Sequence, residues 1–186
     1  MRLFIAIAVP DDVRKALADL LQELRAIEPA AKWVRAENLH VTLKFLGHTE
    51  PEKLSAIERA LKAIRSPQPV ALQFRGLGFF PNEKRPRVFW TGMAASANLR
   101  SLAEDIDHAA TRLGFPAENR PFAPHLTLAR FDPAGLPARL GAAIEQRAAV
   151  SFGSLSTSMF HLIESKLKPT GAEYTTVQSF PFVTET

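Results

Sequence analysis

The sequence predicts an α+β fold with two similar lobes, each with a largely antiparallel sheet, helices on the outside and a central cleft between the sheets. One observation is a repeat: 39–46 reads LHVTLKFL and 124–131 reads PHLTLARF, with His40 and His125 lying 85 positions apart. The second observation is that strand-like and helix-like segments alternate, while connections such as 81–86 are too short for a crossover helix.

The same shift of 85 positions superimposes the order of the other elements, although sequence identity outside the histidine motif is low. The segments starting near Arg2, Asp11, Pro51 and Val70 fall on those starting near Arg87, Ser96, Leu136 and Leu155. We therefore predict a single domain over residues 1–186, built from two pseudo-symmetric repeats at about 1–86 and 87–171 and a closing strand at 172–183. Because that strand follows the second repeat, we expect the two ends of the chain to share a lobe.

The first strand and helix follow from the spacing of their apolar residues. The run RLFIAIA at 2–8 is bounded by Pro10 and predicts a buried strand. Residues 11–26 carry apolar side chains at helical spacing, and the acidic Asp11 and Asp12 favour a helix N-terminus there.

Two further helices are indicated by end signals and apolar period. Residues 49–52 (TEPE) have the form of a capping box and predict a helix along 54–64. Apolar residues between 99 and 113 form a helical face, and Gly114 suits its end. The remaining strand-like segments are 39–46, 70–79, 87–94, 122–130, 155–164 and 173–183.

Composition narrows the class of protein. The chain has 46% hydrophobic and 23% charged residues, which is typical of a globular protein. It has no cysteine, which excludes disulfides, thiolate nucleophiles and Cys-based zinc sites and suits a cytoplasmic location. The apolar run 3–9 leads into aspartates without a cleavage site, so we expect no signal peptide. No apolar stretch is long enough to span a bilayer, so we expect no membrane association. A monomer is the default expectation. The net charge of +4 permits a polyanionic partner.

The repeated pattern places histidine and threonine on the same face of a strand. Side chains two residues apart point to one side, so His40 lies beside Thr42, and His125 lies beside Thr127. The apolar residues between them point the opposite way, toward the helices. An approximate two-fold relation between the lobes would bring two imidazoles and two hydroxyls into one cleft.

Such a set suits metal-free chemistry at a phosphodiester. Two histidines with pKa values near 6.5 can serve as one acid and one base at neutral pH. In-line displacement places the attacking and leaving oxygens on opposite sides of phosphorus, which two facing histidines can serve. Threonine hydroxyls are short neutral donors to the other phosphate oxygens. Symmetry alone does not decide which histidine is the acid.

Other interpretations fit the residues less well. A zinc site lacks an Asp or Glu near either motif, and a serine hydrolase lacks its G-x-S-x-G elbow. Neither a Walker loop nor a dinucleotide fingerprint occurs. A single H-x-T in a strand is usually a packed or surface histidine, but two copies in equivalent positions favour function. We therefore predict no metal and no other cofactor.

The two segments resemble the H-x-T-x motifs of the two-histidine (2H) phosphoesterases. The resemblance is closest to the RNA 2′,3′-cyclic phosphodiesterases of bacteria and archaea, first described as 2′-5′ RNA ligases. Further matching segments are RLFIAI at the start, FFPN with PRVFW at 79–90, and LIESKLKPTGAEY at 162–174. The resemblance covers nearly the whole chain and implies a bilobal 2H phosphoesterase fold.

The resemblance also implies a reaction and a role for each motif residue. A 2′,3′-cyclic phosphate on an RNA end or nucleotide would be opened to a 2′-phosphate, and the reverse reaction would join ends through a 2′-5′ linkage. His40 would be the proton donor and His125 the proton acceptor. Thr42 and Thr127 would bind the non-bridging oxygens.

Two basic residues near the motifs need separate treatment. The family motif has a basic residue at the position of Arg130, which implies substrate binding. Strict alternation, however, puts Arg130 on the face opposite His125, and only a bulge or an early strand end would turn it toward the cleft. Alternation also puts Lys44 on the His40 face. We interpret His108 as solvated, His161 as structural and His48 as a residue at a turn.

The substrate is less well specified than the reaction. Phe79, Phe80 and Trp90 are candidates for base stacking, although aromatic residues in strands are more often core. Specificity is expected in loops such as 76–86 and 132–138. One alternative is a module that binds phosphorylated RNA ends without turnover. Another is a different 2H substrate, such as ADP-ribose cyclic phosphate or a 2′-5′ oligonucleotide.

Overall fold

The apolar periods of the sequence become two antiparallel sheets covered by helices in the structure, a computed structural model that describes residues 1–131, 138–169 and 171–183. The strands are β1 (Arg2–Ala8), β2 (Lys32–Trp33), β3 (His40–His48), β4 (Val70–Phe80), β5 (Val88–Ala95), β6 (His125–Arg130), β7 (Ser151–Thr157), β8 (Met159–Lys168) and β9 (Gly171–Pro181). The helices are α1 (Asp11–Ile27), α2 (Leu54–Lys62), α3 (Asn98–Arg112) and α4 (Ala138–Glu145).

The strands form a four-stranded sheet of order β3-β1-β8-β9 and a five-stranded sheet of order β2-β6-β5-β4-β7. All neighbouring strands pair antiparallel. Apolar side chains from both sheets and from all four helices form one continuous core on the helix side. The predicted α+β fold is confirmed, and the first and last strands share a sheet as expected.

Each sheet contains strands from both halves of the sequence. β4 comes from the first predicted repeat but pairs with β5, in the five-stranded sheet. β8 comes from the second predicted repeat but pairs with β1, in the four-stranded sheet. The two halves of the chain therefore exchange β4 and β8, the first half also contributes β2 to the five-stranded sheet, and neither sheet is complete without the other half.

Two sequence predictions about local structure are wrong. The strand predicted at 155–164 is divided at Ser158 into β7 and β8, which lie in different sheets. No Gly or Pro marks a turn at this point in the sequence, and the Thr157 hydroxyl accepts a hydrogen bond from the amide of Met159 in the turn. The capping box is absent, since the buried Thr49 donates its hydroxyl to Gly47 O at 3.2 Å and α2 begins only at Leu54.

The predicted loops also shift. β4 continues to Phe80, so the first loop begins at 81 instead of 76. In the second predicted loop, 132–138, residues 132–137 lie outside the described part of the chain, and α4 begins at 138. The predicted end of α3 is confirmed, since Gly114 follows its last turn with φ of +86°, where glycine is favoured.

Candidate active site

The first histidine motif lies on the face of its sheet that points away from the core. His40 is paired with Ala8, and Thr42 with Ala6, on β1. Both motif side chains are partly exposed, whereas Val41 is buried in the core. The predicted alternation is therefore present at this end of β3.

The second motif has the same arrangement in the other sheet. His125 is paired with Gly92 and Thr127 with Trp90, and Leu126 is fully buried. Although β3 and β6 belong to different sheets, they approach each other with Cα atoms within 8 Å. The strands that carry the two motifs are thus neighbours across the boundary between the sheets, which we call the cleft.

A β-bulge follows each motif at the equivalent leucine. Between Thr42 and Lys44, β3 advances two residues while β1 advances one, so Leu43 is the extra residue. Leu128 is the extra residue in β6, opposite the step between Phe89 and Trp90. A one-residue bulge inverts the faces of every side chain beyond it.

The bulges decide where Arg130 and Lys44 point. Arg130 is paired with Val88, which lies on the same face of β5 as the partners of His125 and Thr127. Arg130 is therefore exposed on the histidine face. The bulge at Leu128 turns it there, and strict alternation along the strand does not predict this bulge. Phe45 occupies the equivalent position after the first motif, and its side chain is 61% exposed.

The prediction that Lys44 lies on the His40 face is wrong, because the bulge turns this residue toward α3. Lys44 is only 3% exposed, and its Nζ lies 2.6 Å from the Asp107 carboxylate. The same ammonium donates to Pro116 O at 2.6 Å and lies 3.3 Å from Glu118. The lysine thus connects β3 to α3 and to the segment that follows it.

Replacement of Lys44 by alanine is expected to lower the free energy of unfolding by about 3 kcal/mol, because it leaves the carboxylate of Asp107 without its buried partner. The measurement is urea denaturation of the variant beside Lys15→Ala, which removes an exposed lysine from α1. Unchanged stability of Lys44→Ala would show that the buried pair does not hold α3 against β3.

The two imidazoles are oriented by equivalent hydrogen bonds. His40 Nδ1 lies 3.2 Å from Asn38 O, and His125 Nδ1 lies 2.8 Å from Ala123 O. A carbonyl oxygen can only accept, so Nδ1 carries a proton in both rings. Nε2 is consequently the atom that each neutral ring offers as a base, or each charged ring as an acid.

The surroundings of His40 disfavour its charged form. Burial lowers the pKa of His40 below its ordinary value of 6.5, and the neighbouring Arg14 guanidinium and His161 imidazole lower this pKa further. The bond to the Asn38 carbonyl acts in the opposite direction on the pKa but is the weaker effect. When protonated, His40 is thus a stronger acid than a solvated histidine.

The threonine hydroxyls are available to a ligand. Within the residues that the structure describes, neither Thr42 nor Thr127 makes a side-chain hydrogen bond, although other threonines do, such as Thr91 to Gly76 O at 2.9 Å. A hydroxyl that is partly exposed and uncommitted on the histidine face can donate to a phosphate oxygen.

Aromatic side chains flank both histidines. The His125 ring meets Phe80 edge-on at 5.0 Å, and Phe80 packs against Trp90, whose indole lies over Gly78. Phe79 instead packs in the core against Phe89 at 5.3 Å. Of the three proposed stacking residues, two therefore lie on the histidine face and one does not.

Sequence reasoning missed the aromatic residues beside His40. Its ring contacts Phe4 at 6.2 Å and Tyr174 at 5.8 Å between centroids. Tyr174 lies on β9, which approaches the segment before His40, where Asn38 Nδ2 donates to Ala172 O at 2.7 Å. No local pattern marks such a contact, since 134 residues separate its partners.

The remaining histidines divide into two groups. His108 is exposed on α3, as predicted, and His48 at the end of β3 lies 3.2 Å from Glu50. His161, expected to be structural, is paired with Ala6 on the same face of the sheet as His40.

Among the described residues, no three His, Asp or Glu side chains form a cluster able to hold a metal ion. None of the described helices is long and apolar enough to cross a membrane.

The model of the LigT-like phosphoesterase family matches this chain twice, over residues 7–90 and 93–174. The chain belongs to the LigT-like phosphoesterases. This LigT-like phosphoesterase is 35% identical over 180 residues to a protein of Archaeoglobus fulgidus named RNA 2′,3′-cyclic phosphodiesterase, covering 97% of this chain and 99% of the relative.

Solved structures agree with the family assignment. A crystal structure of a Thermus thermophilus protein matches this LigT-like phosphoesterase with a TM-score of 0.81 and 33% identity, covering 98% of each chain. The crystal structure of E. coli LigT complexed with 3′-AMP matches with a TM-score of 0.75 and 29% identity, again over 98% of each chain.

Proposed function

We propose that this protein hydrolyses the 2′,3′-cyclic phosphate of RNA ends or nucleotides to a 2′-phosphate, with the paired H-x-T motifs as its catalytic groups. The observation that carries the proposal is the matched geometry of the two motifs. In both, Nδ1 is held by a backbone carbonyl, a hydroxyl is uncommitted, and a bulge follows. The name of the Archaeoglobus relative and the nucleotide bound to E. coli LigT support this substrate class.

Each motif residue has a role in this reaction. His125 Nε2 takes a proton from water as the water oxygen attacks phosphorus, and His40 Nε2 gives its proton to the 3′ oxygen as the P–O3′ bond breaks. Thr42 and Thr127 donate hydrogen bonds to the non-bridging oxygens, and Arg130 adds positive charge on the same face. The assignment of His40 as the acid rests on the resemblance to the 2H phosphoesterases, because its lowered pKa by itself leaves the ring mostly neutral at neutral pH.

Ligation through a 2′-5′ linkage uses the same step, in which the P–O3′ bond breaks, with an alcohol as the nucleophile. A 5′ hydroxyl or other alcohol in place of water would give up its proton to the same base, which would join two ends through a 2′-5′ linkage. Reverse ligation, cytoplasmic location and a monomeric state stay predictions. We also propose that the chain is one domain of two repeats, which the equivalent bulges and the double match to one family model support.

The proposed function is tested by incubation of the protein with a 2′,3′-cyclic mononucleotide and identification of the product by phosphorus NMR. Release of a 2′-phosphate supports the proposal. Binding without turnover would support a module that only grips RNA ends, whereas a 3′-phosphate product would mean that the other P–O bond breaks. Preference for a 2′-5′ dinucleotide or ADP-ribose cyclic phosphate in the same assay would assign a different 2H substrate.

The dependence of kcat/KM on pH is expected to be bell-shaped and insensitive to EDTA. His40 must be protonated to act as the acid, so the rate falls as pH rises through its pKa. Because burial lowers that pKa, the midpoint of the bell, which is the mean of the two pKa values, should lie at lower pH than for two solvated imidazoles. A pH series of initial rates measures this midpoint, and strict dependence on added Mg²⁺ or Zn²⁺ would contradict the mechanism.

A further inference from the structure

We propose that His161 and Ser179 form a second anion-binding position in the cleft, which holds the phosphate next to the cyclic one and so selects RNA chain ends over mononucleotides. This inference rests on the proposed function, because it concerns the substrate of the same site. It assigns to His161 a role in binding that neither motif supplies.

The position lies in one lateral row of the four-stranded sheet. Ala6 is paired with Thr42 on one side and with His161 on the other, and His161 is paired with Ser179. Paired residues share a face, so all four side chains point into the cleft. Neighbouring strands are about 4.8 Å apart, which puts the Cα atoms of Thr42 and His161 about 10 Å from each other. Only the methyl group of Ala6 separates them.

The His161 ring is fixed in a way that leaves a donor available. Its Nδ1 lies 2.8 Å from Ser179 Oγ, while Nε2 makes no hydrogen bond to the described part of the chain. Burial lowers the pKa of His161, so the ring is neutral at neutral pH. If the serine hydroxyl donates to Nδ1, then Nε2 carries the proton and can donate to a phosphate oxygen.

The neighbouring edge strand offers further hydroxyls. Between Leu162 and Ile163, the partner in β9 changes from Gln178 to Thr176, which makes Val177 the extra residue of a bulge. This bulge puts Thr176 and Ser179 on the same face, although they are three positions apart. Both are exposed, and β9 is the outer strand of its sheet. Single-stranded RNA can therefore lie along β9 with its phosphate oxygens near the hydroxyls of Thr176 and Ser179.

A mononucleotide and a chain end differ at this position. A cyclic mononucleotide carries one phosphate, which the two motifs would bind. A dinucleotide with a terminal 2′,3′-cyclic phosphate carries a second phosphate one nucleotide away, and only this substrate can use His161. Loss of a hydrogen bond to a charged group lowers affinity by about tenfold or more.

The test compares kcat/KM for uridine 2′,3′-cyclic phosphate and for UpU ending in a 2′,3′-cyclic phosphate. The variants are His161→Ala, His161→Gln and Ser179→Ala, with His108→Ala as a control at an exposed histidine on α3. We expect His161→Ala to lower kcat/KM for the dinucleotide about tenfold and to leave the mononucleotide within about twofold. Ser179→Ala should show a smaller loss in the same direction, and the control should change neither value.

Two results would overturn the inference while leaving the proposed function in place. One is an equal loss on both substrates in His161→Ala and Ser179→Ala, which would show that the pair acts on the reacting phosphate or through His40. The other is an unchanged dinucleotide rate in all three variants. If the wild-type protein turns over neither substrate, then the proposed function itself fails, and the inference fails with it.

Discussion

Replacement of either His40 or His125 by alanine is expected to lower kcat for a 2′,3′-cyclic nucleotide by about a hundredfold to ten-thousandfold. Each imidazole is the partner of a different oxygen, so removal of one stops proton transfer on that side of phosphorus. The double variant should be little worse than either single one, because groups that act in one step are not additive. Single-turnover rates with saturating substrate measure the effect.

The control for this experiment is His48→Ala, which removes an exposed histidine that lies just beyond the first motif. It should retain the wild-type rate. Thermal denaturation should show that the His40 and His125 variants are folded, since both side chains are only partly buried. Retention of more than about a tenth of kcat in either variant would contradict the acid–base pairing.

Replacement of Thr42 or Thr127 by valine is expected to lower kcat by about a hundredfold to a thousandfold, with a smaller effect on KM. Charge on the non-bridging oxygens is stabilised mainly in the transition state, so a lost donor affects turnover more than binding. Valine keeps the branched shape of threonine and suits a strand, which separates the hydroxyl from the packing.

The matched control for the threonine variants is Thr175→Val, an exposed position on β9 that faces away from the cleft, opposite Glu164. Steady-state kinetics of the three variants on one cyclic mononucleotide give kcat and KM separately. An effect confined to KM would show that the hydroxyls bind the substrate equally in its ground and transition states, and the proposed role would be wrong.

The face of each motif was predictable from sequence, and the residues just beyond it were not. Alternation of His40, Val41 and Thr42 determines which side chains point to the core, because a strand has a strict period of two. The bulges at Leu43 and Leu128 break that period, and neither leucine differs from its neighbours in a way that marks a bulge. The prediction for Lys44 is wrong for this reason, and the orientation of Arg130 depends on the bulge.

Long-range pairing limited the prediction of the fold in the same way. The strand run 155–164 has a continuous pattern, yet β7 pairs with β4 and β8 pairs with β1. Which partner a strand takes depends on segments far away in sequence, so local periodicity cannot reveal the division at Ser158. The contact of Tyr174 with His40 has the same origin, because it depends on the path of a whole hairpin.

The exchange of β4 and β8 between the sheets has a consequence for the integrity of the protein. A chain cut near residue 86 would give two fragments that each lack a central strand, so neither would be stable in isolation. Because each sheet contains strands from both halves, the whole chain should unfold in a single cooperative transition. Local opening of one half would remove a strand from the sheet that carries the motif histidine of the other half, so both proposed catalytic groups would depend on the folding of the whole chain.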